Sequence, residues 1–394
     1  MKTDTIEMLP APLPFDQRRI GSAGKRLLIS PDILLNQFVR ATVCTSCFEQ
    51  KIRIVQLQRL SKSNAPGSAD CIWVGLVNNM PDAAITATER QFTELLLAAA
   101  GDTHVRLTLF SISEVPRSVG MREELSHRYR DLSELWNTPL DGLVVTGTEP
   151  RASSLKDEPY WAALSKVIDW ARENSTSTIW SCLAAHAAVL HADGIDRHLM
   201  PRKRFGVFDC QVAGAHPMTR HIDGPIRVPH SRYNDLAEPD LISCGYQILT
   251  KSALAGVDTF CKQEQSLFIF FQGHPEYETD TLLREYRRDI GRFLRGEAAN
   301  YPSMPQGLFN NDKVAIANEF RDRVLSQVRE DLIDAFPMST LEAGLANTWR
   351  TSSVAFYRKW IGYLHAKVKR RTRPQIRTWL EWPVSSLPIA IELP

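Results

Sequence analysis

The sequence predicts an α/β fold, a mostly parallel β-sheet with helices on both faces. Three observations predict it. Strand-length apolar runs alternate with segments of helical spacing from residue 71 to residue 295, the pattern of strands joined by crossover helices. Several of the runs are apolar throughout, as strands covered on both faces are. Residues able to do chemistry stand at the carboxyl ends of those runs, where such sheets bind ligands.

The elements follow in order. "CIWVGLVN" is an apolar run of strand length, and "TERQFTELLLAAA" has helical spacing and good helix formers. "HVRLTLFSI" alternates like a strand, and "DGLVVTG" is a short apolar strand ending in Gly147. "DEPYWAALSKVIDWARE" reads as an amphipathic helix with acids in its first turn. "STIWS" and "LAAHAAVLHA" repeat the strand–helix theme, with Cys182 between them. "GYQILTKS", "SLFIFFQGH" and the helix "TDTLLREYRRDIGRFLR" come next. Beyond them, residues 313–336 are expected to form one long amphipathic helix and 349–364 another, and 366–377 are a basic run.

Bulk composition narrows the function classes. The chain has 394 residues, enough for one large domain with extensions or for two domains. A net charge of +2 provides no global field for nucleic acid. Seven cysteines at irregular spacing do not form a secreted disulfide framework. No apolar run reaches the roughly 18 residues of a membrane span. The N-terminus, "MKTDTIEMLPAPLPFDQRR", lacks the apolar core of a signal peptide. A reducing cytoplasm is the expectation. "CTSC" (Cys44–Cys47) has the spacing of half a zinc site or of a redox pair, but no second CxxC follows and no βαβ pattern surrounds it. No metal site is expected.

Two stretches carry candidate chemistry. In "STIWSCLAAHAAVL" a β-rich run reaches Cys182 and the chain switches at once to a helix former. A sharp strand-to-helix turn lifts a side chain out of the sheet edge, and the helix start offers free N–H groups and partial positive charge. Both favour a thiolate nucleophile, and the N–H of Leu183 is placed to hold an oxyanion. A small buried cysteine is the alternative reading of the same residues. In "FFQGHPEYETD", His274 follows a buried strand and Glu276 lies two residues on, so in extended backbone both point the same way. A carboxylate there would orient the imidazole and raise its basicity; a solvent-facing pair is the alternative. Lys203, Arg232 and Arg288 are cations able to hold a carboxylate or a CoA phosphate.

Taken together these stretches resemble the homoserine O-acyltransferase family, the homoserine transsuccinylases. The ordered string carries the resemblance: "VGLVNNMPDAAITATERQF", "DGLVVTG", "PYW", "TSTIWSCLAAHAA", "KRFGVFD", "VPHSRYND", "GHPEYETDTLLREYRRD" and "WRTSSVAFYRKWIGYL", over residues 72–365. The resemblance implies a class I glutamine amidotransferase-like (flavodoxin-like) fold with N- and C-terminal extensions. It places Cys182 on the acyl-accepting nucleophile, His274 on the general base and Glu276 on its partner. Lys203, Ser231 and Arg288 fall on positions that contact the amino acid, with Arg288 clamping its carboxylate. The implied reaction is ping-pong transfer from acyl-CoA, as co-substrate, to the homoserine hydroxyl, early in methionine synthesis. No cofactor and a homodimer are also implied.

The chain departs from the family pattern in four places. The turn "NNMPDAAITATERQF" lacks the family's lysine and carries two extra residues. Arg151 stands at the position where a glycine goes with succinyl and a glutamate with acetyl; a cation there can pair with a succinyl carboxylate, so succinyl is expected. Residues 311–340 read as a helical insertion in an acyltransferase domain spanning 67–365. An extension of residues 1–66 and a basic tail of 366–394 lie outside the match. Acetyl transfer, another amino-acid acceptor, a glutamine amidotransferase-like hydrolase and a non-catalytic relative are the alternatives. The Ser-Cys-Leu elbow lacks the flanking glycines of a G-x-C-x-G elbow, which counts against the hydrolase.

Overall fold

The computed structural model describes residues 71–368 apart from 221, 223 and 224. The leader with Cys44 and Cys47, and nearly all of the basic run, lie outside the described residues. The elements begin with β1 (Cys71–Val77), α1 (Asp82–Ala100), β2 (His104–Ser111), α2 (Val119–Ser126), β3 (Arg130–Asp131), α3 (Leu132–Leu135) and β4 (Gly142–Val145). There follow α4 (Trp161–Asn174), β5 (Ser177–Ser181), α5 (Leu183–Asp193), β6 (His198–Val212), β7 (Ile226–Asp235), α6 (Glu238–Ser243), β8 (Gln247–Ser252), β9 (Gly256–Gln263) and β10 (Leu267–Phe271). The described chain closes with α7 (Thr281–Leu294), α8 (Asn311–Ser326), a 3-10 turn (Glu330–Ala335), α9 (Met338–Glu342) and α10 (Arg350–Val368).

The strands form a single sheet in the order β3-β2-β1-β4-β5-β10-β9-β8-β6-β7. From β3 to β10 every pairing is parallel; from β10 to β7 every pairing is antiparallel. The α/β fold with a mostly parallel sheet is therefore as expected. Strands β4, β5 and β10 are buried at every residue, which explains the unbroken apolar sequences of β4 and β10. Alternate residues face opposite layers. Leu143, Val145, Phe268 and Phe270 pack against α4 and α5. Val144, Ile179, Ile269 and Phe271 pack against α1 and α10.

Two local expectations are corrected. First, residues 313–336 are not one helix: α8 ends at Ser326 and the 3-10 turn follows. The rings of Phe320 and Phe336 are 5.3 Å apart, whereas a straight helix would separate them by about 24 Å. Folding back lets Leu332 and Phe336 join Phe320 and Val324 over Leu282, Tyr286 and Ile290 of α7. The expected insertion is thus a cover for the outer face of α7. Second, the acids expected in the first turn of α4 precede it: Asp157 lies in a short 3-10 turn and Glu158 turns inward. "KRFGVFD" and "VPHSRYND", which the local pattern assigned to no element, form the long antiparallel hairpin β6–β7. Its cation-rich, half-exposed strands hide the two-residue period that marks a strand.

Candidate active site

Cys182 has φ 52° and ψ −112°, and it is the one non-glycine among the described residues with positive φ. Such a backbone costs about 1–3 kcal/mol and persists only where neighbours hold it. Here the Cys182 N–H donates to Phe271 O at 2.7 Å, and the Cys182 carbonyl accepts from Ala185 and His186 at 3.0 and 3.3 Å. β10 and α5 therefore pin both sides of the turn. Leu183 is the first residue of α5, so its N–H has no intrahelical acceptor. Gly147, at the end of β4, passes so close that a Cβ there would lie 2.5 Å from Leu183 Cβ and 3.0 Å from Leu183 N. Only glycine leaves the space beside that N–H open.

His274 lies three residues beyond Phe271, the last residue of β10, the strand that pairs with β5. Its N–H donates to Pro229 O at 2.8 Å. The preceding Gly273 is pressed against Val228, Pro229 and Asp258, where a Cβ would meet atoms at 2.5–2.8 Å. His274 Nδ1 lies 2.8 Å from Glu276 Oε1, which leaves Nε2 for Cys182, whose charge acts on the ring. Burial works against the imidazolium, but the Cys182 thiolate and the Glu276 carboxylate outweigh it and hold its pKa well above the usual histidine value. The spacing His-x-Glu thus becomes a contact, and Cys182, whose charge acts on the same ring, completes a candidate triad with His274 and Glu276.

A second constellation lies on α7. The His274 ring stacks on Tyr277 with centroids 4.2 Å apart. Tyr277 donates its hydroxyl to Glu285 Oε1 at 2.7 Å, and Ser231 donates to the other oxygen of the same carboxylate. One turn on, Asp289 accepts from Lys203 Nζ at 2.8 Å and Arg288 Nε at 2.9 Å. Lys203 also sits over the Phe205 ring, 4.1 Å from its centroid. Attraction to Lys203 and Arg288 overcomes the effect of burial and holds the Asp289 carboxyl below the usual range. Arg292 reaches Glu149 at 2.9 Å, tying α7 to the loop after β4. Lys203, Ser231 and Arg288 are therefore brought to one face beside the triad. Sequence reading missed the carboxylates that gather them, although Glu285, Arg288, Asp289 and Arg292 recur at helical spacing on one face.

The sequence profile of a family described as "HTS: Homoserine O-succinyltransferase" matches residues 50–371. The chain belongs to the homoserine O-succinyltransferase family. It is 46% identical over 294 residues to the homoserine O-succinyltransferase of Rhodopseudomonas palustris, covering 75% of this chain and 88% of that protein. The homoserine O-succinyltransferase of Thiothrix nivea is 38% identical over 295 residues, covering 74% and 82%. Among solved structures, the chain is similar to a glutamine amidotransferase from Methylobacillus flagellatus, with TM-score 0.43 and 16% identity over 75% of this chain and 95% of that one.

The places where this homoserine O-succinyltransferase family member departs from the family pattern have their own structural settings. In the turn without the family's lysine, Asn79 bonds to Thr146 through its backbone N–H at 2.8 Å and its side chain at 3.1 Å. The buried Arg117 donates to Met80 O at 2.8 Å and lies 3.6 Å from Asp82, so an arginine from a distant loop braces the turn. Arg151 presents an exposed side chain, and its backbone N–H donates to Glu158 Oε1. Arg232 is consumed internally: it pairs with Asp235 at 2.8 Å and donates to Asn234 O and Ala255 O. Strand alternation explains the contrast with Ser231, which faces α7. Among the described residues no group of three or more His, Cys, Asp or Glu is placed to hold a metal ion, and no helix is long and apolar enough to cross a membrane.

Proposed function

We propose that the chain transfers a succinyl group from succinyl-CoA to the hydroxyl of homoserine through a thioester on Cys182. The observation that carries this reading is the strained cysteine elbow at the end of β5, together with a histidine after the neighbouring strand β10 that is held by Glu276 at 2.8 Å. Family membership supports homoserine as acceptor and succinyl as the group transferred.

The protons and electron pairs balance across two half-reactions. The Cys182 thiolate attacks the thioester carbonyl, and the developing oxyanion accepts from the Leu183 N–H. CoA leaves with the proton of the His274 imidazolium. Acylation removes the thiolate charge, one of the two charges that hold His274 protonated, while burial continues to favour the neutral ring. The base is therefore free when the acceptor arrives. His274 Nε2 takes the homoserine proton as the hydroxyl oxygen attacks, and collapse restores the thiolate–imidazolium pair. Exchange of one thioester for another is nearly isoenergetic, so positioning and exclusion of water dominate the task.

In this reading Arg288, with a half-exposed guanidinium, receives the homoserine carboxylate. Lys203 and Ser231 line the same face. Acyl-CoA is a co-substrate, no cofactor is needed, and the enzyme works in the cytoplasm at an early step of methionine synthesis, as a homodimer. The test is CoA release by purified protein with succinyl-CoA or acetyl-CoA crossed with homoserine, serine or no acceptor, with Cys182→Ala alongside. Homoserine-dependent release from succinyl-CoA, lost in the variant, is expected. No Cys182-dependent release with any pair would overturn the reading.

A further inference from the structure

A buried hydrogen bond behind the cysteine elbow has no part in the half-reactions above. His186 lies one turn along α5 from Cys182, and Gln272 follows the last residue of β10, two positions before His274. Both side chains are buried, and His186 Nε2 lies 2.9 Å from Gln272 Oε1. The other bonds of the Gln272 amide fix its orientation. Its NH2 group donates to Asp235 Oδ1 at 3.0 Å and to Val257 O at 2.8 Å, and its oxygen accepts the Leu236 N–H at 3.2 Å. A carboxylate and a carbonyl only accept, so the NH2 group must face them and the oxygen must face His186. The imidazole proton therefore sits on Nε2. His186 Nδ1 is buried with no partner among the described residues. Burial pulls the pKa of the ring down to about 3, which keeps it neutral.

The bond closes a ring around the nucleophile. The Cys182 N–H donates to Phe271 O at 2.7 Å, and a peptide bond joins Phe271 to Gln272. Gln272 reaches His186, whose backbone N–H donates to Cys182 O at 3.3 Å. The backbone N–H groups of Gln272 and Gly273 are both held by Asp258, at 2.9 and 3.2 Å, so the segment leading to His274 is fixed at the same place. The enclosed turn carries the φ of 52°, a conformation that persists only where its surroundings over-determine it. A misplacement of about 1 Å between reacting groups costs on the order of 100-fold in rate. We propose that His186 and Gln272 are positioning residues for the transfer reaction. Their side-chain bond clasps the Cys182 turn to the strand that leads to His274, and so holds nucleophile and base in register. This deepens the transferase reading and rests on it.

The test uses the full chain as wild type, as His186→Phe, which keeps a ring and loses the donor, and as His186→Gln, whose amide returns a donor to the Gln272 oxygen. The first burst of CoA from succinyl-CoA has a first-order rate constant that does not depend on the folded fraction. It is expected to fall roughly 3- to 10-fold in His186→Phe, the loss of one hydrogen bond, and to recover in His186→Gln. The KM for homoserine is expected to stay unchanged in both. A wild-type burst rate in His186→Phe would overturn the clasp, as would an equal loss in the two variants. Should neither variant fold, nitrogen-15 NMR of the wild type decides: His186 should carry its proton on Nε2 and not titrate above about pH 5, and a proton on Nδ1 would overturn the clasp. A wild type without a Cys182-dependent burst would overturn the transferase reading alone. Alkylation of Cys182 by iodoacetamide, which needs no substrate, then judges the clasp, with the same slowing in His186→Phe expected and an unchanged rate refuting it.

Discussion

Glu276→Gln removes one charge from the triad and changes almost nothing in volume. The Glu276 side chain is 4% exposed and its Oε1 lies 2.8 Å from His274 Nδ1. A hydrogen bond to a buried charged group contributes about 1.5–3 kcal/mol, which corresponds to roughly 10- to 150-fold in rate. The introduced amide has no good orientation. With its oxygen toward Nδ1, its NH2 group occupies the place of Glu276 Oε2, which is buried and has no partner among the described residues. With the amide turned over, its NH2 confronts Nδ1 and favours the tautomer that puts the ring proton on Nε2, where the base must accept. Two results follow. The kcat/KM for homoserine-dependent CoA release falls on the order of 10- to 100-fold. The His274 ring, followed by nitrogen-15 NMR, titrates at lower pH than in the wild type, because one of the two charges raising it is gone. An unchanged rate together with an unchanged titration would refute the triad as drawn.

Other perturbations test separate parts of the site and its support. Gly147→Ala should place a methyl group against Leu183 and reduce CoA release by roughly 100-fold, the scale of a lost oxyanion donor, while a thermal melt shows a folded protein; wild-type rates would count against the Leu183 N–H. Arg288→Gln should raise KM for homoserine at least roughly tenfold, the loss of a charge-assisted bond, and leave the first burst of CoA intact; a lost burst instead would assign Arg288 to the acyl half-reaction. For Asp289, the folded carboxyl lies below its unfolded value, so its contribution is full above that unfolded value, about pH 4, and is lost as pH falls toward the folded one. Asp289→Asn should lower the melting temperature at neutral pH and flatten the further loss seen on acidification below about pH 4; parallel pH curves for variant and wild type would refute the pairing. Phe336→Ala, emptying the space between the Phe320 and Tyr286 rings, should cost about 3–5 kcal/mol in urea unfolding; a negligible change would mean that the segment after α8 is no part of the core.

Much of the parallel half of the sheet was legible because burial on both faces leaves a signature in the chain itself. β4 ("GLVV") and β10 ("LFIFF") are apolar without a break because no face of either meets water, while β5 ("STIWS") is equally buried but carries Ser177, Thr178 and Ser181. The β6–β7 hairpin was not legible, since its half-exposed residues carry cations that mask the two-residue period. The break after Ser326 was hidden for a related reason. Helical spacing continues through it, and what ends the helix is the size of the α7 face that Phe320 and Phe336 must both reach.

The same division runs through the site. Cys182, His274 and Glu276 were nameable from local sequence, because a strand-to-helix switch and a two-residue spacing are short-range features that backbone geometry converts into direction. The ordered motifs likewise named the family to which the chain belongs. Only the tertiary structure decided which cations are available. Arg232 and Arg288 look alike in sequence, yet one is locked to Asp235 and backbone carbonyls and the other stands half-exposed on α7. Glu285 and Asp289 gather Ser231, Tyr277, Lys203 and Arg288 only once α7 packs beside β6 and β7. Sequence records what each residue can donate, accept or bury; which of those capacities is already satisfied depends on neighbours that only folding supplies.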